Sequence, residues 1–265
     1  MRIPFYALAA VSLAVAACGE LIPLPQPTQI PPTSTLEAPS APAQELPATA
    51  TLPLPTEAPS PSAAATQTPV GQIFRDDFSG RLGPGWTWEN EDPSRWTITS
   101  DGWLQIVGGD ESLLHDGTQS NLLWRDLPSG NFQVSVHVKA DPTADFQQAT
   151  LYFYEDPSNY MAINRGYCSP CGTGGNGVYM EYKIGGDSGS YNAAVKATDL
   201  YLRLMSEDGV LSGYYALSPD DWVRLGRFGD YFAFKRVGLG VSNVDRRGID
   251  ADLVGQFDWF EIDRP

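Results

Sequence analysis

Hydrophobic positions recur every second residue over most of the second half of this chain. From Phe132 to Val138, Phe132, Val134, Val136 and Val138 alternate with Gln133, Ser135 and His137. The same beat sets Leu151 and Phe153 against Tyr152 and Tyr154, and Met161 and Ile163 against Tyr160 and Asn164. Further on, Val178, Met180, Tyr182 and Ile184 oppose Tyr179, Glu181 and Lys183, and Leu200, Leu202 and Leu204 oppose Tyr201, Arg203 and Met205. Successive side chains leave a pleated backbone on opposite sides, so a period of two marks a strand with one buried face. "GWLQIVG" at 102–108 and "QFDWFEID" at 256–263 behave similarly, and "SDG", "LPSG", "EDPSN", "SEDG" and "SPDD" separate the runs with turn residues. No segment keeps helical spacing beyond a turn or two, and no short-period repeat is present. The pattern predicts an all-β sandwich of a dozen or so antiparallel strands.

The parity assigns Leu151, Phe153, Met161, Ile163, Val178, Met180, Leu200, Leu202 and Leu204 to the space between sheets. A slip of one residue would bury Glu181, Lys183 and Arg203 instead, which is costly enough to fix the register. The reverse face collects Tyr152, Tyr154, Tyr160, Asn164, Tyr179, Glu181, Lys183, Tyr201 and Arg203. If these strands share one concave sheet, the face is an open trough suited to a glycan. Aromatic rings cover the apolar patches of a sugar ring, while amide and guanidinium groups satisfy its hydroxyls. The alternative is that cross-strand tyrosine pairs merely stabilise a solvated sheet face, at ~0.2–1 kcal/mol each.

The first 70 residues are of another kind. Residues 1–17 hold one basic residue and a short apolar run that ends in small residues, the layout of an export signal. That run is short for a membrane span, which needs roughly 20 apolar residues. "VAAC" at Val15–Cys18 resembles the lipobox of bacterial lipoproteins. That resemblance implies cleavage before Cys18, acylation of its thiol, and an exported domain lipid-anchored to the membrane and facing outward. The alternative is an ordinary signal peptide cut near Ala17. Residues 18–70 follow as a linker. Between 20 and 70 lie 13 of the 22 prolines, with no glycine and no aromatic residue. Such a segment buries too little apolar surface to order itself and reads as an extended stalk. At about 3.1 Å per residue its reach is on the order of 150 Å.

Residues 71–265 are the globular part, long enough for one sizeable core. They carry 28 acidic and 16 basic residues, a net −12. That charge argues against nucleic acid and anionic membrane surfaces as partners, and is compatible with neutral sugars and divalent cations.

The serial order of "FRDDFSGRLGPGWTWENEDPSRWTITSDGWLQI", "NLLWRDLPSGNFQVSVHV", "ATLYFYEDPSNYMAI", "YLRLMSEDG", "DDWVRLG" and "GQFDWFEI" is similar to the concanavalin A-like lectin/glucanase superfamily. Most similar is the jelly-roll domain at the C-terminus of family 43 β-xylosidases. The resemblance covers nearly all of residues 73–262 and implies two curved sheets, adjacent first and last strands, and ligands on the concave face. It also suggests a structural calcium shared by those strands, for which Asp76, Asp77 and Asp258 are the candidate ligands. No other cofactor is expected. Retaining glucanases of this fold carry three acids spaced along one strand. Here Glu181 stands alone and "FEID" at 260–263 lacks the third acid. No other catalytic motif is found.

Cys168 and Cys171 form a C-x2-C pair, and with Cys18 acylated they are the two remaining thiols. A local disulfide pinning the glycine-rich loop that follows is the natural reading in an exported protein, with metal binding and redox chemistry the alternatives. The sequence thus points to a surface-anchored, non-catalytic carbohydrate-binding lipoprotein. A structural or adhesive envelope protein and a divergent glycoside hydrolase are the competing readings.

Overall fold

The computed structural model describes residues 71–229, 234–244 and 252–265; the segment expected to be an export signal, Cys18 and the proline-rich stretch lie outside the described residues. The strands are, in chain order, β1 (Gln72–Asp76), β2 (Thr87–Glu89), β3 (Trp96–Ile98), β4 (Leu104–Val107), β5 (Leu122–Asp126), β6 (Phe132–Ala140), β7 (Gln147–Asp156) and β8 (Asn159–Cys168). There follow β9 (Gly175–Ile184), β10 (Asp187–Ala194), β11 (Asp199–Glu207), β12 (Val210–Ala216), β13 (Trp222–Gly229), β14 (Arg236–Asn243) and β15 (Val254–Asp263). Among the described residues a short α-helix, α1 (Leu113–Asp116), lies between β4 and β5, and a single 3-10 turn (Ser169–Cys171) follows β8.

Two antiparallel sheets form the sandwich. One has eight strands in the order β13-β12-β11-β6-β15-β4-β3, with β1 added against β15. The other has seven, in the order β10-β9-β8-β7-β14-β5-β2. The alternating apolar residues fill the space between them: Val134, Val136 and Val138 of β6, Leu151 and Phe153 of β7, Met161 and Ile163 of β8, Val178 and Met180 of β9, and Leu200, Leu202 and Leu204 of β11 are all fully buried. Arg165 also lies on this inward side, fully buried, and donates to the carbonyls of Gly166 and Gly177 and to Asn176 Oδ1.

Two features depart from simple alternation. In β15 the register against β6 shifts between Phe257 and Trp259, so that Phe257 and Phe260, three residues apart, are both core. The extra residue of this bulge is what allows the same face to be met again at an odd interval. The second concerns which sheet each strand joins. β7, β8 and β9 belong to the seven-stranded sheet, whereas β11 crosses over to the eight-stranded one. Tyr201 and Arg203 therefore do not share a face with the tyrosines of β7–β9, and the single trough read from parity divides into two outward faces. Parity fixes the inside of a strand and is silent about which sheet the strand enters.

The ends of the domain meet. Gln72 pairs with Asp263, and the Arg264 N–H donates to the carbonyl of Gly71 at 2.9 Å.

Candidate functional site

The ladders of the seven-stranded sheet fix the outward residues of β14, β7, β8, β9 and β10 in rows. One row runs Gly240, Thr150, Asn164, Tyr179, Asn192, and the next Gly238, Tyr152, Ala162, Glu181, Ser190. A third holds Arg236, Tyr154, Tyr160, Lys183 and Ser188. The parity reading therefore holds within this sheet.

The expected openness does not. Exposure falls to 0% for Tyr152, 6% for Tyr154, 9% for Tyr160 and 5% for Tyr179, and Asn164 is fully buried. Part of the covering is the connection between β4 and β5. Ser112 caps α1 by accepting from the Leu114 N–H, and Gly117 ends it in the left-handed region at φ 73°. This turn presents Leu113 and Leu114 to Leu122, Trp124, Tyr152, Tyr154, Tyr160 and Ala162, a second apolar cluster outside the main core. Gln119 anchors the same connection. Its Oε1 accepts from the Leu113 N–H and the Tyr152 hydroxyl, and its Nε2 donates to the Val241 carbonyl. Burial pushes the Tyr152 phenol well above its ordinary pKa. Tyr152 and Tyr154 thus hold the covering segment down rather than facing solvent. "SLLHDG" carries the signal for this element, an N-cap serine and a C-terminal glycine around two leucines, which the strand-oriented reading passed over.

What remains open is a cleft of about 390 Å³ over β8, β9 and β10. Tyr160, Tyr179, Glu181, Tyr182, Ser188, Ser190 and Asn192 line it, with Cys171 from the loop after β8 and with His115 and Phe146 from the two connections beside it. The His115 and Phe146 rings meet edge to face at 5.4 Å. Burial raises the Glu181 carboxyl above the usual carboxylate range, with His115 and the Gln148 amide drawing it partly back. Burial also raises the Tyr160 phenol, and Glu181 adds to the shift. Lys183 lies at the outer margin and is exposed. His115, Phe146, Ser188, Ser190 and Asn192 were not singled out from sequence. The polar alternation of "DSGSYNAA" along edge strand β10 was the available sign.

Cys168 and Cys171 are joined as a disulfide, with Cα atoms 5.4 Å apart. The Asn192 side chain donates to the Cys171 carbonyl at 3.1 Å. The Tyr179 hydroxyl donates to the carbonyl of Gly175 and also meets the Thr173 hydroxyl. The disulfide loop is therefore bound to the cleft at one end.

The outward face of the eight-stranded sheet carries Tyr201 and Arg203. Tyr201 lies flat on His137, ring centroids 4.4 Å apart, and Trp103 and Trp259 flank the imidazole at 5.1 and 6.5 Å. His137 Nδ1 is 2.9 Å from Asp258 Oδ2 and its Nε2 is 2.6 Å from Asp199 Oδ1. Arg203 donates to Ser135 Oγ and stacks over Trp222 at 3.8 Å.

The three aspartates considered for calcium do not assemble. Asp76 accepts from the Phe78 and Gly83 N–H groups and from the Trp86 indole, at 2.9, 2.7 and 2.8 Å. Three N–H groups already occupy the oxygens of this carboxylate and point their positive ends at the place a cation would take. Asp77 pairs with Arg75, and the bulge in β15 brings Asp258 to His137. Among the described residues no three His, Cys, Asp or Glu side chains converge as a metal site requires. This donor set does not fit a calcium ion.

Residues 75–263 match the family model described as the Beta xylosidase C-terminal Concanavalin A-like domain. The GH43 protein BlXynB from Bacillus licheniformis is similar in fold, with a TM-score of 0.63 and 22% identity over 72% of this chain and 39% of its own. A xylan beta-1,4-xylosidase from Bacillus halodurans gives a TM-score of 0.58 and 19% identity, over 72% of this chain and 39% of its own. The beta-glucanase of Bacillus licheniformis, at 12% identity and a TM-score of 0.52, is matched over 100% of its length and 74% of this chain. The chain thus spans about two fifths of the first two proteins, 39% in each. Among curated proteins none matches.

Proposed function

The chain belongs to the family of beta-xylosidase C-terminal concanavalin A-like domains, and from that membership we propose that it is a non-catalytic carbohydrate-binding protein. Its ligand is a neutral glycan held in the cleft over β8, β9 and β10, and xylosyl chains are the first candidates, by analogy with the enzymes that carry such domains. The observation that carries this reading is the lining of the cleft. Phe146 and Tyr182, both half-buried, supply aromatic surface beside the largely buried Tyr160 and Tyr179, and Ser188, Ser190 and Asn192 supply neutral hydrogen-bonding groups. Glu181 is the sole carboxylate among the lining residues. Hydrolysis by the common glycosidase mechanisms takes a pair of carboxyl groups, so the same lining supports capture over cleavage.

Calorimetric titration of the full-length protein with xylo-, cello- and mannohexaose tests the reading. Binding to at least one, weakened at least about tenfold by Tyr160→Ala or Ser190→Ala, is expected; tenfold corresponds to about 1.4 kcal/mol. Silence with all three, or binding indifferent to both changes, overturns it.

The anchored placement is part of the proposal. Cys18 carries the lipid, residues 18–70 extend the domain away from the membrane, and the protein faces outward. Incorporation of a fatty-acid label that Cys18→Ala abolishes tests this directly. The half-buried rings of Trp103, Tyr201, Trp222 and Trp259 on the other sheet favour a second reading, adhesion to another protein. Soluble oligosaccharide relieves binding under the first reading and leaves it unchanged under the second.

A further inference from the structure

Resting on the saccharide-binding role of the cleft, we infer that the ligand enters by a chain end and that Asn164 reads its terminal sugar. The first argument is the shape of the site. Toward β7 and β14 the sheet surface is closed, because Leu113 and Leu114 pack onto Leu122, Trp124, Tyr152 and Tyr154. A second boundary is the disulfide loop, which Asn192 ties to Cys171 and Tyr179 ties to Gly175. Tyr179 itself lies over Gly177, where a Cβ would come within 3.0 Å of the ring and 2.8 Å of the Ala193 carbonyl. A polymer laid across the strands runs into these walls. A terminus does not.

The second argument is chemical. Asn164 stands beside Tyr179 across the β8–β9 ladder and on the same outward face. It is fully buried, and neither its Oδ1 nor its Nδ2 has a hydrogen-bond partner within the protein. Gln148 Oε1 and Ser242 Oγ, also buried on this face, are unpartnered too. Buried polar groups are almost always satisfied, and leaving one unpaired is costly. An amide offers a donor and an acceptor side by side. Two neighbouring sugar hydroxyls offer the complementary pair, since each both donates and accepts. Tyr179, the ladder partner of Asn164, lines the open cleft together with His115 and Phe146, whose rings sit on connections rather than on strands. Phe146 is held in the left-handed region at φ 63°, a strained conformation for a bulky residue and one that marks functional sites more often than chance.

The experiment uses the full-length protein, titrated with xylobiose, xylotriose, xylotetraose and xylohexaose. Affinity per molecule is expected to stay within about twofold along the series, because only the terminal residues are held. Long-chain xylan is expected to compete in proportion to its molar chain ends rather than its mass. Asn164→Leu, an apolar isostere of the unpaired amide, is expected to weaken binding at least about tenfold while raising Tm. Asn164→Ala gives the same loss of binding should the leucine pack poorly. Affinity that climbs through the hexaose, or wild-type affinity in either variant, overturns the chain-end inference and leaves the cleft standing. No binding by the wild-type protein to any member of the series takes down the cleft and this inference together.

Discussion

Trp124 lies over Gly238, its partner across the β5–β14 ladder, so closely that a Cβ on Gly238 would stand 2.2 Å from the indole ring. Trp124 in turn stacks on Tyr154 at 5.3 Å, and Arg236 covers both rings. Gly238→Ala is expected to displace the indole and destabilise the fold by about 1–3 kcal/mol, the usual range for overpacking. Urea denaturation followed by tryptophan emission measures both effects. An unshifted midpoint contradicts the packing argument.

Glu181 makes the fold less stable at neutral pH than it is in acid. Burial raises its folded pKa above the unfolded value, so the unfolded chain releases this proton first as pH rises. The resulting penalty is absent below the unfolded pKa, grows through the interval between the two, and is complete above the folded pKa. Glu181→Gln is therefore expected to raise stability at pH 7 and to leave it unchanged near pH 3. Denaturation midpoints of both proteins at the two pH values check this. Equal shifts at both would rule out the ionisation as the cause.

The Tyr152 phenol gives the opposite end of the pH scale a marker. Its folded pKa is raised by burial, so above the ordinary tyrosine value of about 10 the unfolded state ionises while the folded state holds its proton. Stability is expected to fall with rising pH there, and to fall less steeply in Tyr152→Phe. At pH 7 the phenylalanine variant loses the bond to Gln119 Oε1, at about 0.5–1.5 kcal/mol. Alkaline denaturation curves of the pair read out both differences.

Much of this was visible in the order of residues. The period of two located the core residues of β6, β7, β8, β9 and β11, because burying one face of a strand leaves no choice of parity. The C-x2-C spacing announced the disulfide. Sheet membership was not visible, since β10 and β11 are joined by a short connection that changes sheets and nothing in their side chains records the crossing. Tyr201 and Arg203 were misplaced for that reason. The covering of Tyr152 and Tyr154 was hidden by a related limit. Parity reports which way a side chain points, and a four-residue helix more than thirty positions upstream decides what it meets.

Asp76 is a structural carboxylate, and its loss is expected to be severe. Asp76→Ala strands three donors at once, the Phe78 and Gly83 N–H groups and the Trp86 indole, for a loss of about 3 kcal/mol or more. Chelator and added calcium are expected to leave the melting temperature of the wild-type protein where it is. A rise with calcium would reinstate the metal.

The hydrogen bond between Gly71 and Arg264 has a practical corollary. Because the polypeptide arrives and departs at neighbouring points, the whole sandwich is a cassette. It is suited to splicing into an exposed hairpin of an unrelated host, or to circular permutation through a linker of a few residues, with little stress on either side of the join.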